Sequence, residues 1–135
     1  MKVWVVWGTL LLSLALGACQ SSNKHGVEIT HYYQLKKKCP TLMVMEVGET
    51  LEFTVPENPS TGYQWQLLKP LDLFKTEETY QHTEAEEGMV GVGGEKVFRF
   101  VAQKPGQELI DLVYVRPWES HQQAEQQWQC RIRVS

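Results

Sequence analysis

An all-β sandwich of about seven to eight strands is the fold that this 135-residue sequence predicts, and three observations carry it. Apolar and polar residues alternate in short runs, the two-residue period of half-buried strands. Glycine, proline and asparagine clusters punctuate those runs at short intervals. Helical periodicity is scarcely found. The length allows one domain. With 42% hydrophobic and 21% charged residues, the chain is neither disordered nor fibrous. A net charge of -3 provides no basic face of the kind nucleic acid requires.

Taken in order, Thr41–Val47 reads as a strand ended by Gly48. Leu51, Phe53 and Val55 alternate with Glu52 and Thr54, and Pro56 to Gly62 breaks that pattern. Tyr63, Trp65 and Leu67 then alternate with Gln64 and Gln66. The stretch from Lys69 to Gly94 is irregular and acidic, with Glu77, Glu78, Glu84, Glu86 and Glu87. One strand near Phe74–Tyr80 and a long mobile loop account for it. Lys96–Val101 runs to the turn Lys104-Pro105-Gly106. Glu108–Val115 follows, and Trp128, Cys130, Ile132 and Val134 share one face of the last strand. No internal repeat, low-complexity run or second domain occurs.

The first residues are an address. Lys2 precedes an uncharged apolar run from Val3 to Leu16, too short for the ~20 residues that span a bilayer as a helix. A cation, a short apolar run and small residues make a secretory signal. Leu16-Gly17-Ala18-Cys19 resembles the bacterial lipobox, in which the cysteine is acylated on sulfur and becomes the mature N-terminus. The expected organisation is a lipoprotein signal peptide over residues 1–18, a lipidated Cys19 with a polar tether over 19–26, and one folded domain over 27–135. By analogy with such lipoproteins, Gln20 after the cysteine directs the protein to the outer membrane, on its periplasmic or surface face. Removing residues 1–18 leaves 117 of 135 residues, and losing Lys2 makes the net charge -4. Such a chain buries a modest core.

Cys39 and Cys130 remain, in a compartment that permits disulfides. They are either bridged across 91 residues or two buried thiols, and geometry decides which. Cys39, Trp65 and Cys130 follow the Cys–Trp–Cys order of an immunoglobulin domain. However, Cys39 stands before the first clear strand, so the pair is not that domain's inner bridge. Catalytic chemistry is absent from the pattern. There is no Gly-x-Ser-x-Gly elbow, no Cys-x-x-Cys, and no two of His25, His31, His82 and His121 at metal-ligand spacing. Gly91-Val92-Gly93-Gly94 fails the dinucleotide pattern because position 96 is lysine.

Three segments are unusual for a small sandwich. Asn58-Pro59-Ser60-Thr61-Gly62 is stiffened by Pro59, by the asparagine side chain and by a glycine free to take positive φ. It places two small hydroxyl residues at its tip, though alone it is also an ordinary β-turn. Gly91-Val92-Gly93-Gly94 leaves backbone bare for another chain to approach, or is a hinge. Arg116-Pro117-Trp118 has the composition of an interface hot spot, or is a tryptophan capping the core with arginine stacked on it.

Together, in this order, the three resemble the loops of the chagasin-type inhibitors of papain-like cysteine proteases. That family carries Asn-Pro-Thr-Thr-Gly, Gly-x-Gly-Gly and Arg-Pro-Trp loops at one end of an immunoglobulin-like sandwich. The resemblance runs from about Thr41 to Val134. It extends to Val47-Gly48-Glu49, Gly62-Tyr63-x-Trp65 and Tyr114-x-Arg116-Pro117-Trp118. It implies that Asn58–Gly62 enters the protease cleft with Ser60 and Thr61 at the contact, while Gly91–Gly94 and Arg116–Trp118 grip its sides. Inhibition would be tight, reversible and competitive, by a monomer without metal, cofactor or enzymatic activity of its own. Ser60 departs from the family's threonine, and the Cys39/Cys130 pair and the lipid anchor are not general features of it. The alternative function is a lipid-anchored envelope interaction or adhesion module on the same sandwich.

Overall fold

The computed structural model describes residues 28–82, 93–119 and 124–135. Among these, eight strands form: β1 (His31–Gln34), β2 (Met43–Met45), β3 (Thr50–Glu57), β4 (Gln64–Leu67), β5 (Phe74–His82), β6 (Gly94–Ala102), β7 (Gly106–Val115) and β8 (Gln126–Val134). They make two four-stranded sheets, in the orders β1-β3-β6-β5 and β2-β8-β7-β4. The pairs β1/β3 and β2/β8 are parallel; the other four are antiparallel. The all-β sandwich expected from the alternation is therefore the fold.

The inward positions of both sheets close one core. Leu51, Phe53, Phe98 and Phe100 come from one sheet, and Ile110, Leu112, Trp128 and Ile132 from the other, all buried. Phe53 stacks on Trp128 at 4.3 Å and meets the edge of Trp65 at 6.0 Å. Aromatic pairs at such spacings add to the burial of their area. Cys39, between β1 and β2, is joined to Cys130 of β8 with their Cα atoms 5.4 Å apart.

Four boundaries differ from the sequence reading, each for a physical reason. β1 is an extra strand ahead of Cys39, and only Tyr33 of its four residues is buried, so it leaves almost no alternation to read. β2 covers three residues rather than Thr41–Val47, because Glu46–Glu49 turns, with Gly48 at φ 95°. Pro56 does not end β3. It pairs in register with Glu95, and β1 reaches only as far as Thr54, so the side of Pro56 lacking an N–H faces no neighbouring strand. β5 extends to His82, with Glu77 opposite Arg99 and Glu78 paired to Lys96 at 3.2 Å. An edge strand exposed on both faces needs no apolar period. The rest of the expected mobile loop, 83–92, lies outside the described residues, as do residues 1–27.

The direction of the strands defines two poles. β3 and β7 end, and β6 and β8 begin, at one pole; Gly48, the turn Lys104–Gly106 and Ser135 lie at the other. The N-terminal approach to β1 is at this second pole, where Thr30 N–H donates to Thr50 O at 2.9 Å. Glu49 fastens the same pole: its carboxylate accepts from Glu46 N–H at 2.9 Å and lies 3.2 Å from His31 Nε2.

Two predictions follow from these contacts. The Glu46 amide, then the hydrogen bond with His31, hold the Glu49 carboxyl below its ordinary value of 4.5. A depressed folded-state value contributes stability above the unfolded value, and that stability is lost as pH falls through the folded one. Glu49→Gln should therefore lower stability at neutral pH, and its difference from the wild type should shrink as pH falls through the folded-state value, so that the acid limb of the stability-versus-pH curve is flatter. The bridge spans 91 residues, so Cys39→Ser with Cys130→Ser should cost about 4–5 kcal/mol on the chain-entropy model, read as a lower urea midpoint.

Candidate functional site

At the first pole the chain turns from β3 into β4, and so from one sheet into the other. Asn58, in extended conformation, caps a single 3-10 turn, Pro59–Thr61. Its Oδ1 accepts from Ser60 N–H at 3.1 Å and from Ser60 Oγ–H at 2.7 Å. Thr61 Oγ1 donates to Asn58 O at 2.8 Å and accepts from Tyr63 N–H at 3.3 Å. Gly62 closes the turn at φ 81°, its N–H donating to Pro59 O at 3.0 Å. Asparagine at a cap, proline in the first turn and glycine in the left-handed region each suit their position. Ser60 and Thr61 are exposed, yet both hydroxyl hydrogens are used inside the loop. The tip therefore presents carbon and acceptor surface rather than two donors, a refinement of the sequence reading.

The base of this loop depends on a residue that sequence reasoning missed. Glu57 is buried, 6% exposed, and its Oε2 accepts from Trp65 N–H at 2.7 Å. Trp65 Nε1–H donates to Pro56 O at 3.3 Å, and Tyr80 O–H to Glu57 O at 3.3 Å. The signal was parity: Glu57 continues the inward series Leu51, Phe53, Val55. A carboxylate there needs an internal donor, and a strand-opening N–H supplies it.

Gly93 and Gly94 lie against the same base. A Cβ on Gly94 would collide with Gln81 O, and one on Gly93 would stand 3.0 Å from Glu57 O and 3.1 Å from Asn58 Cβ. These two glycines are thus required by close internal packing. This packing demand is no part of the sequence reading. Gly91 and Val92 lie outside the described residues. A groove of about 410 Å³ separates the segments, lined by Pro56, Glu57, Asn58, Gly93 and Gly94 together with Leu35, Tyr114 and Gln126.

Arg116–Glu119 follows β7 and closes on itself, with Glu119 N–H donating to Arg116 O at 2.9 Å and Arg116 Nη1 lying 3.4 Å from Glu119 Oε1. The guanidinium sits 4.5 Å over the Tyr63 ring. Tyr63 in turn contacts Tyr114 at 5.2 Å, and Tyr114 stacks on Trp65 at 5.2 Å. A column of rings therefore runs from the core to Arg116. Trp118 is 72% exposed, so it does not cap the core. Its ring reaches across to the first loop, where a Cβ on Gly62 would lie 2.7 Å from Cη2. The structure thus gathers Asn58–Gly62, Gly93–Gly94 and Arg116–Trp118 at one pole. Cys19 lies outside the described residues. Among the described residues no three metal-ligating side chains cluster.

Gly62→Ala should both strain the left-handed backbone by about 1–2 kcal/mol and push Trp118 aside. Trp118 emission, read in the domain from Ser21 onward with Trp65 and Trp128 replaced by phenylalanine, should shift with it. Glu57→Ala leaves the Trp65 amide unsatisfied and should cost about 1–3 kcal/mol in urea unfolding.

Residues 44–132 match the family model described as Chagasin family peptidase inhibitor I42. The chain is 29% identical to chagasin of Trypanosoma cruzi over 82 residues, 56% of this chain and 73% of that protein. It is 33% identical to Amoebiasin-1 of Entamoeba histolytica over 78 residues, 58% of this chain and 76% of that one. In fold it is similar to a cysteine protease inhibitor from Entamoeba histolytica, with a TM-score of 0.67 and 24% identity over 78% of this chain and 95% of that one. That neighbour extends the sandwich assignment to an immunoglobulin-like one. With the family model covering well over half of its length, the chain belongs to the chagasin family of peptidase inhibitors, which are inhibitors and not enzymes.

Proposed function

We propose that this protein is a reversible, competitive inhibitor of papain-like cysteine proteases, held at the cell envelope by a lipid on Cys19. The observation that carries the reading is the gathering of three short segments at one pole, with Trp118 lying over Gly62 and exposed. Asn58–Gly62 enters the cleft and covers the catalytic cysteine. Gly91–Gly94 and Arg116–Trp118 hold the cleft's two sides, and Trp118 supplies most of the apolar contact. A wedge built this way loses little conformational entropy on docking, since capping, proline and the ring column already hold it. It also resists cleavage, because the capped 3-10 turn is not the extended backbone that a protease must grip. The similar protein of Entamoeba histolytica is itself a cysteine protease inhibitor.

The lipoprotein part rests on Leu16-Gly17-Ala18-Cys19 and the polar residues after it. The described chain reaches β1 at the pole opposite the three segments. An anchor at Cys19 thus leaves the binding pole facing away from the membrane, its geometry unobstructed for a large partner.

Titration of the domain from Ser21 onward into active-site-counted papain should abolish activity near one equivalent and leave trypsin untouched. Full papain activity at a large excess of folded domain would defeat the inhibitory reading. Trp118→Ala should weaken inhibition by about 2 kcal/mol, roughly 30-fold in the inhibition constant, with an unchanged urea midpoint. Mass spectrometry of the protein made in its native envelope should find an acylated N-terminal Cys19.

A further inference from the structure

One surface at the binding pole is not used by the three segments. β1 runs parallel to β3, with Gln34 opposite Thr54, so the chain leaves β1 toward the same pole as Asn58. The next residues are Leu35-Lys36-Lys37-Lys38-Cys39. Leu35 lines the groove shared by Asn58, Gly93 and Gln126. A second hollow of about 280 Å³ joins Lys36 to Thr54, Pro56 and Glu95. The three lysines are exposed, in a chain whose 16 acidic residues outnumber its 13 basic ones.

A run of exposed lysines is ordinarily a mobile, solvated face. This one is held at three points. Lys37 N–H donates to Gln34 O at 2.9 Å, Trp128 Nε1–H donates to Lys37 O at 3.2 Å, and Cys39 is bonded to Cys130. Lys37 itself folds back, its Nζ 4.7 Å from the Tyr33 ring and 3.2 Å from Tyr32 O. Among the described residues no carboxylate forms an ion pair with any of the three. The backbone that carries the three lysines is therefore ordered beside the proposed wedge, and among the described residues none of the three is ion-paired.

We propose that Lys36–Lys38 form a fourth contact of the inhibitor, an electrostatic one, directed at an acidic patch bordering the substrate cleft of its target protease. The inference rests on the inhibitory reading above and deepens it by stating the charge of the preferred target. A lipid surface is the poorer partner for this charge, since the approach to the proposed anchor is at the opposite pole. Exposed charges at the border of an interface act mainly on the rate of association and its salt dependence, while dissociation is governed by the buried contacts. The segment thus selects among proteases by speed of capture.

The test compares the full chain, purified in non-ionic detergent, with its Lys36→Gln, Lys38→Gln double variant. Association rates are measured against two papain-family proteases, one with an acidic cleft border and one with a basic border. Equal urea midpoints establish that both proteins are folded. Against the acidic-bordered protease the variant should associate about fivefold more slowly at low ionic strength, with dissociation changed by less than about twofold. The difference should vanish near about 0.5 M salt and be absent against the basic-bordered enzyme. Equal association rates for the two proteins at every salt concentration would overturn the proposal. Equal rates with weaker partition of the variant into anionic vesicles would overturn it in favour of a lipid contact. If the wild type inhibits neither protease, the inhibitory reading itself fails, and the lysine contact fails with it.

Discussion

The hydrogen bond from Trp65 N–H to the buried Glu57 carboxylate, 2.7 Å long, is the constraint on which the pole that gathers the three segments depends. Glu57 ends a strand of one sheet and Trp65 belongs to a strand of the other, so this contact fixes the gap that the Asn58 loop must cross. A hydrogen bond to a carboxylate is among the stronger kinds. Breaking it would leave the amide of the buried Trp65 without this partner. The same residue's carbonyl receives the Tyr80 hydroxyl and crowds Gly93. One side chain and its backbone thereby register three segments that come from distant parts of the chain.

From that base rigidity propagates in two directions. Toward solvent, Asn58 caps its own turn and consumes the Ser60 and Thr61 hydroxyl hydrogens, so the loop has few alternatives to its observed shape. Toward the core, the rings of Trp65, Tyr114 and Tyr63 carry the position of the sandwich out to Arg116. Trp118 is then the only large apolar side chain at this pole left exposed among the described residues; the other exposed ones are Tyr32, Val44 and Val47. For the inhibitory role proposed above, such an arrangement would leave little conformational freedom to lose on docking.

Membership of an inhibitor family and the sandwich were both legible in the residues alone. The sandwich was written in the parity of Leu51, Phe53 and Val55, and of Trp128, Cys130, Ile132 and Val134. Family was written in three short segments, of which Asn58–Gly62 owes its residue types to local demands: a cap, a fixed φ, a positive φ. Such local rules act within a few residues and so survive in a linear reading. Strand limits were less legible. Acidic β5 and the four-residue β1 are held by their neighbours rather than by an apolar period of their own, and Pro56 is tolerated only because β1 stops short of it.

What tertiary structure alone decided concerns distances between residues far apart in the chain. No linear pattern states that Cys39 and Cys130 come within bonding reach, because that depends on how β1 crosses to β2 beside β8. Nor does one state that Gly93 and Gly94 are small because Glu57, Asn58 and Gln81 crowd them, or that the Trp118 ring covers Gly62. The sequence specifies which side chains can bury, cap and turn, since those properties belong to single residues and near neighbours. Packing two twisted sheets against one another decides which of them meet, and in this protein it is those meetings that build the pole.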